Sequence, residues 1–132
     1  MDYDRPVLGD RPLMAFIPVT DLSAAQSFYG EVLGLRVREE GPYAVLLDAG
    51  GTMLRLAQVE GLQPQPFTIA GWEVLDIGTS IESLAGRGVD FIRYEGMEQD
   101  TKGIWSTPDG DQVAWFKDPD GNTLSLTCFA DM

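Results

Sequence analysis

The sequence predicts an α+β fold of two tandem β-α-β-β-β modules forming a curved mixed sheet with a cleft, because the 132-residue chain repeats itself. Asp48-Ala49-Gly50-Gly51-Thr52-Met53-Leu54-Arg55-Leu56 lies over Asp118-Pro119-Asp120-Gly121-Asn122-Thr123-Leu124-Ser125-Leu126 without a gap. Each copy reads as the end of a strand, a Gly-centred turn and a second strand. Upstream, Val19-Thr20-Asp21-Leu22 and Val74-Leu75-Asp76-Ile77 form a second matched pair, each leading into a helical pattern that closes at Gly34 or Gly88. Two similar half-sheets set side by side enclose a cleft, and such halves can also pair across a dimer.

The elements follow in order. Residues 13–19 read as a strand. Residues 22–33 read as a helix with Leu22, Ala25, Phe28, Tyr29, Val32 and Leu33 on one stripe, Asp21 or Ser23 as cap, and Gly34 as stop. Strands are expected at 35–38, 43–47 and 53–58, completing module 1 over about 13–60. Residues 61–68 form the linker, where Pro64 and Pro66 stop either module from continuing. Module 2, about 69–129, has expected strands at 72–77, 89–94, 112–117 and 123–129, with a short helix at 80–87. Together they make one domain over 1–132, a length that buries a core without staples.

The copies differ in one place. Gly34 and Asp48 are 14 positions apart, whereas Gly88 and Asp118 are 30 apart, so sixteen extra residues fall at about 95–111. Trp105 sits in that stretch among polar neighbours. A long loop bearing an aromatic suits a functional lid. It equally suits an aromatic that pins the loop to the sheet, and the sequence leaves both readings open.

Composition excludes several classes. Acidic residues outnumber basic ones 21 to 9, for a net charge of −12, which argues against nucleic acid as a partner. One cysteine, Cys128, excludes an internal disulfide and suits a reducing compartment. No charged-then-apolar leader opens the chain, residues 1–11 read as a loose arm, and no apolar run is long enough for a membrane span. A cytoplasmic protein without membrane contact is the expectation.

Catalytic constellations are missing from the sequence. The chain has no histidine, so neither a Ser-His-Asp nor a Cys-His arrangement is available. Cys128 lies in an apolar strand and reads as a buried small hydrophobe. Gly50-Gly51 belongs to a hairpin and lacks the Lys and following helix of a phosphate loop. The acidic pairs Glu39 with Glu40 and Glu98 with Asp100 read as solvated loop residues.

Val19-Thr20-Asp21-Leu22, followed by a helix with Phe28-Tyr29 and the ending Val32-Leu33-Gly34-Leu35, resembles the opening of the vicinal oxygen chelate superfamily. That group includes glyoxalases, ring-cleaving dioxygenases, fosfomycin-modifying enzymes and bleomycin-resistance proteins. Ala114-Trp115-Phe116-Lys117-Asp118-Pro119-Asp120-Gly121-Asn122 is similar to its C-terminal signature, and the resemblance spans about 13–129. It implies the double-module fold more strongly than any one activity, since this fold carries many. It also implies clefts completed across a two-fold axis, and hence a homodimer.

Enzymes of that superfamily hold a divalent metal with His, Gln or Glu at four matched positions. Carried over, these are Met14, Arg55, Ile69 and Ser125, none of which is a normal ligand for Zn, Fe, Mn or Mg. Neither metal nor other cofactor is therefore expected. What remains for the cleft is apolar and aromatic: Met14, Phe16, Tyr43, Met53, Trp72, Trp105 and Trp115, with Arg55 and Ser125 as polar anchors. The resemblance to bleomycin-resistance proteins implies a metal-free protein that sequesters an aromatic or heteroaromatic natural product, such as an antibiotic, without transforming it. The alternative is an enzyme, either a glyoxalase or dioxygenase relative with a rearranged metal site or a metal-independent lyase or isomerase.

Overall fold

The two matched aspartates each start a helix. Asp21 Oδ1 accepts the Ala24 N–H at 3.1 Å, and Asp76 Oδ1 accepts the Thr79 N–H at 3.2 Å. Both residues have extended backbones, the usual geometry of an N-cap. The structure, a computed structural model, describes residues 4–130; residues 1–3 of the expected N-terminal arm lie outside it. The chain divides into two compact units, Met1–Val59 and Glu60–Met132.

Unit 1 runs β1 (Met14–Val19), α1 (Leu22–Gln26), β2 (Arg36–Glu40), β3 (Ala44–Ala49) and β4 (Thr52–Gln58), with sheet order β1-β4-β3-β2. β1 is parallel to β4, and the other pairs are antiparallel. The helix differs from the single α-helix expected over 22–33. After Gln26 it widens into a π-helical segment, Ser27–Val32, in which the Leu33 N–H reaches back to Phe28 O at 2.9 Å. The wider turn carries Tyr29, which is fully buried. One sheet face is closed by this helix: Ile17, Val19, Val45, Leu47, Leu54 and Leu56 are buried beneath Ala25 and Tyr29. Burying each such aliphatic side chain is worth about 1.5–3 kcal/mol. Gly50 and Gly51, with φ of 61° and 96°, form the two-residue turn between β3 and β4. Positive φ at both central positions is what the twist of a tight hairpin demands.

Unit 2 runs β5 (Thr68–Glu73), α2 (Ile77–Ala85), β6 (Trp105–Ser106), β7 (Gln112–Lys117) and β8 (Thr123–Cys128), with sheet order β5-β8-β7-β6 and β5 parallel to β8. Leu124, Leu126, Ala114 and Phe116 are buried on the face that α2 covers with Ile77 and Ile81. The turn before β8 is longer than its unit 1 counterpart. Asp118 holds it, its carboxylate accepting the Asp120 and Asn122 N–H groups at 2.9 Å each and the Asn122 side-chain amide at 2.9 Å.

Three expectations for unit 2 need correction. α2 begins at Ile77, three residues before the expected start, because Asp76 is its cap. β5 begins at Thr68, inside the expected linker. The expected strand at 89–94 forms only one bridge, Phe91 to Phe116, and β6 occupies the rest of that sheet edge from within the extra loop. Both sheets are thus four-stranded, mixed and open, in a β-α-β-β-β-like order. Among the described residues no helix is long and apolar enough to cross a membrane.

Candidate functional site

Each helix covers one sheet face, and period-two alternation sends the remaining side chains to the other face. In unit 1 that second face carries Met14 opposite Met53, and Phe16 opposite Arg55, which is itself opposite Leu46. Phe16 is 60% exposed, a high value for a phenylalanine in mid-strand. Tyr43, just outside β3, lines a shallow hollow with Pro42, Leu46, Glu39 and Arg55. The strands therefore bring Met14, Phe16, Met53 and Arg55 onto one surface, with Tyr43 at its margin. Arg55 makes no ion pair among the described residues.

Unit 2 places an aromatic wall on its second face. Trp115 on β7 lies opposite Ser125 on β8, and Trp105 on β6 lies opposite Val113. The two indoles are 6.3 Å apart, tilted by 33°, and Tyr94 meets Trp115 edge-on at 5.4 Å. The Trp115 indole N–H donates to the Thr68 hydroxyl at 3.1 Å, which holds the ring in place across β8. Tyr94, Met97, Glu95, Glu98 and Trp105 surround a hollow beside this wall. Sequence reasoning missed Tyr94, which it took for a strand residue.

The loop that carries the wall is internally built. Gln99 substitutes for a neighbouring strand: its Oε1 accepts the Tyr94 N–H at 2.7 Å, and its Nε2 donates to Ile92 O at 2.9 Å and Gly103 O at 2.8 Å. These bonds satisfy backbone groups that a ladder over 89–94 would otherwise have used. Asp100 Oδ1 accepts the Lys102 and Ile104 N–H groups at 2.9 Å each. Asp100 is thus a loop organiser, whereas the sequence reading left it as a solvated carboxylate. Lys102 bonds Glu82 on α2 at 2.7 Å, and that carboxylate holds the Lys102 ammonium above its ordinary pKa. Ile104 is buried. Trp105 lies in the short strand β6, paired with Val113, and forms part of the wall.

Other candidates fall elsewhere. Trp72 pairs with Leu126 and stacks on the fully buried Phe116 at 6.5 Å, so it belongs to the face that α2 covers, apart from Trp105 and Trp115. Ser125 is buried beside Gly71, where no Cβ would fit against its hydroxyl and carbonyl. Cys128 is half-buried, its Sγ 3.4 Å from Leu75 O, less enclosed than expected.

The four positions matched to a metal site were Met14, Arg55, Ile69 and Ser125. A β-bulge between Thr68 and Ala70 breaks the count that pointed to Ile69. Met14 lies opposite Met53, and the residue opposite the corresponding Thr123 is Thr68. Thr68, whose hydroxyl already accepts the Trp115 indole N–H, offers only a weak neutral oxygen. A thioether, a guanidinium and two neutral hydroxyls do not suit a hard or borderline divalent ion. Among the described residues no group of three or more His, Cys, Asp or Glu could hold a metal.

Comparison with known proteins agrees with this fold. Among solved structures, a glyoxalase/bleomycin resistance protein/dioxygenase from Alicyclobacillus acidocaldarius is 20% identical, with a TM-score of 0.71 over 92% of this chain and 93% of that one. A lactoylglutathione lyase from Agrobacterium tumefaciens is 17% identical, TM-score 0.70, over 90% and 93%. TnmS3, an antibiotic binding protein from Streptomyces sp. CB03234, is 24% identical, TM-score 0.67, over 89% and 93%. At these identities the likeness speaks for the fold alone. No curated protein matches the chain. The profile of one family matches residues 11–126, and the chain accordingly belongs to the Glyoxalase/Bleomycin resistance protein/Dioxygenase superfamily.

Proposed function

We propose that this protein binds a planar aromatic natural product or antibiotic without metal and without transforming it, lowering the free concentration by sequestration. The observation that carries this reading is the aromatic wall of Tyr94, Trp105 and Trp115, standing where the strands supply no metal donor set. A ring stacked there gains about 0.5–1.5 kcal/mol per aromatic pair beyond its area burial. Unit 1 by itself presents a second apolar surface, Met14, Phe16 and Met53 with Tyr43 at its margin, where Arg55 can stack on a ring or pair with an acidic oxygen. That a protein of this fold, TnmS3, is an antibiotic binding protein supports the reading.

The test is titration with a panel of aromatic antibiotics, read by tryptophan quenching, followed by recovery of each compound. Saturable quenching with unaltered compound is expected. A modified product, or stoichiometric metal retained through dialysis against chelator, would promote the enzymatic alternative. The working form is a homodimer, in line with the prevalence of two-fold oligomers and the exposed apolar side chains of β1. Sedimentation equilibrium at micromolar concentration should give twice the 14.5 kDa chain mass, and a monomer alone would refute it.

A further inference from the structure

Building on the proposed aromatic binding, we infer that the wall of unit 2 selects a planar aromatic cation, a ring system carrying a protonated or quaternary nitrogen. Three observations converge on this class. Trp105 and Tyr94 line the hollow, and the faces of such rings attract cations, tryptophan most strongly. Glu95 and Glu98 line the same hollow, both exposed, and neither has an ion-pair partner among the described residues. No basic side chain lines the hollow, and the two basic residues on either side of it in sequence bond elsewhere: Arg93 donates to the Asp100 carbonyl, and Lys102 bonds Glu82 at 2.7 Å.

Ring faces and two carboxylates without an ion-pair partner among the described residues, in a hollow lined by no Lys or Arg, give one preferred guest. A neutral ring would stack there but leave the carboxylates idle. An anionic ring would meet repulsion from both. The net charge of −12 raises the local concentration of cations over the whole surface, so selectivity must be separated from that general attraction.

Three planar probes of similar size make the test: proflavine as cation, phenazine as neutral ring and anthraquinone-2-sulfonate as anion, each titrated by calorimetry at low salt. Proflavine should bind at least about tenfold more tightly than phenazine, and the sulfonate most weakly. Glu95→Gln with Glu98→Gln should shrink the proflavine preference about fivefold or more, with phenazine affinity unchanged. Both side chains are exposed and unbonded, so the isosteric amides leave the loop intact. The control pair Glu31→Gln with Glu60→Gln changes net charge equally at exposed sites that do not line the hollow and should leave the preference in place. Equal affinity for all three probes, or equal loss with the control pair, overturns the inference while aromatic binding stands. Failure of every probe to bind removes both readings.

Discussion

Gly71 occupies a position in β5 where a side chain has no room. A Cβ there would collide with Ser125 Oγ and come within 3.2 Å of the Ser125 carbonyl. Gly71→Ala should therefore cost about 1–3 kcal/mol of stability, measured by urea denaturation, as overpacking of a close contact does. Adding Ser125→Ala should recover part of the loss, because the hydroxyl leaves and the carbonyl stays. Trp105 gives the second residue-scale prediction. Its ring contributes to the wall and also packs on Trp115. Trp105→Ala should weaken aromatic binding about tenfold, one decade being about 1.4 kcal/mol. It should also lower stability by about 2 kcal/mol, roughly half the cost of emptying a fully buried tryptophan site. Trp105→Phe should retain most of both. A mutant that loses stability while binding normally would make Trp105 a packing residue only.

At the scale of elements, the Gln99 amide makes three of the hydrogen bonds that hold the loop between α2 and β6. Gln99→Leu leaves the Tyr94 N–H and two carbonyls without their partner, and each buried unsatisfied group costs about 1–3 kcal/mol. Hydrogen exchange at the Tyr94 amide should accelerate by at least about tenfold, with β8 amides little affected. Unchanged protection at Tyr94 would mean that the loop holds itself without Gln99. The cap of α2 adds a pH signature. Hydrogen bonds from Thr79 hold the Asp76 pKa below its ordinary value, so the cap's contribution is present above the unfolded carboxylate pKa. It is lost as pH falls through the lower, folded value. Asp76→Asn keeps an acceptor at the cap but cannot titrate, so the acid limb of its stability profile should be shallower than that of the parent. Identical acid limbs would remove Asp76 from the account.

For the whole molecule, sequestration has a thermodynamic consequence that needs no knowledge of chemistry. A ligand that binds only the folded chain stabilises it by RT ln(1 + [L]/Kd), about 2.7 kcal/mol at a hundredfold excess over Kd. Proflavine at that concentration should raise the melting temperature by the equivalent of about 2.7 kcal/mol, and the Trp105→Ala protein, with its larger Kd, should show a smaller shift at the same concentration. Equal shifts in the two proteins would place the ligand elsewhere.

What the sequence determined by itself was the repeated plan: two half-sheets, each started by a strand, crossed by a helix and closed by a hairpin. Those features rest on signals contained within a few residues, such as Asp21 as a cap candidate or Gly50-Gly51 as a hairpin turn, so they are legible without any tertiary context. The cap at Asp76 escaped this reading, and the second helix starts three residues before its expected start. Period two likewise put Met14 and Phe16 on one face. The tertiary structure alone decided the rest. The bulge at Thr68/Ala70 replaced Ile69 with Thr68, because one extra residue in a strand shifts every facing that follows. Trp72 went to the covered face and Trp105 into a strand, because identical residue types are sorted only by which partner strand they meet. Gln99 supplied hydrogen bonds across five to seven residues that no local pattern announces, and through them Tyr94 joined the wall beside Trp115. Local propensity writes the elements, but the facing of a side chain is a property of the pairing, and the candidate site is made of facings.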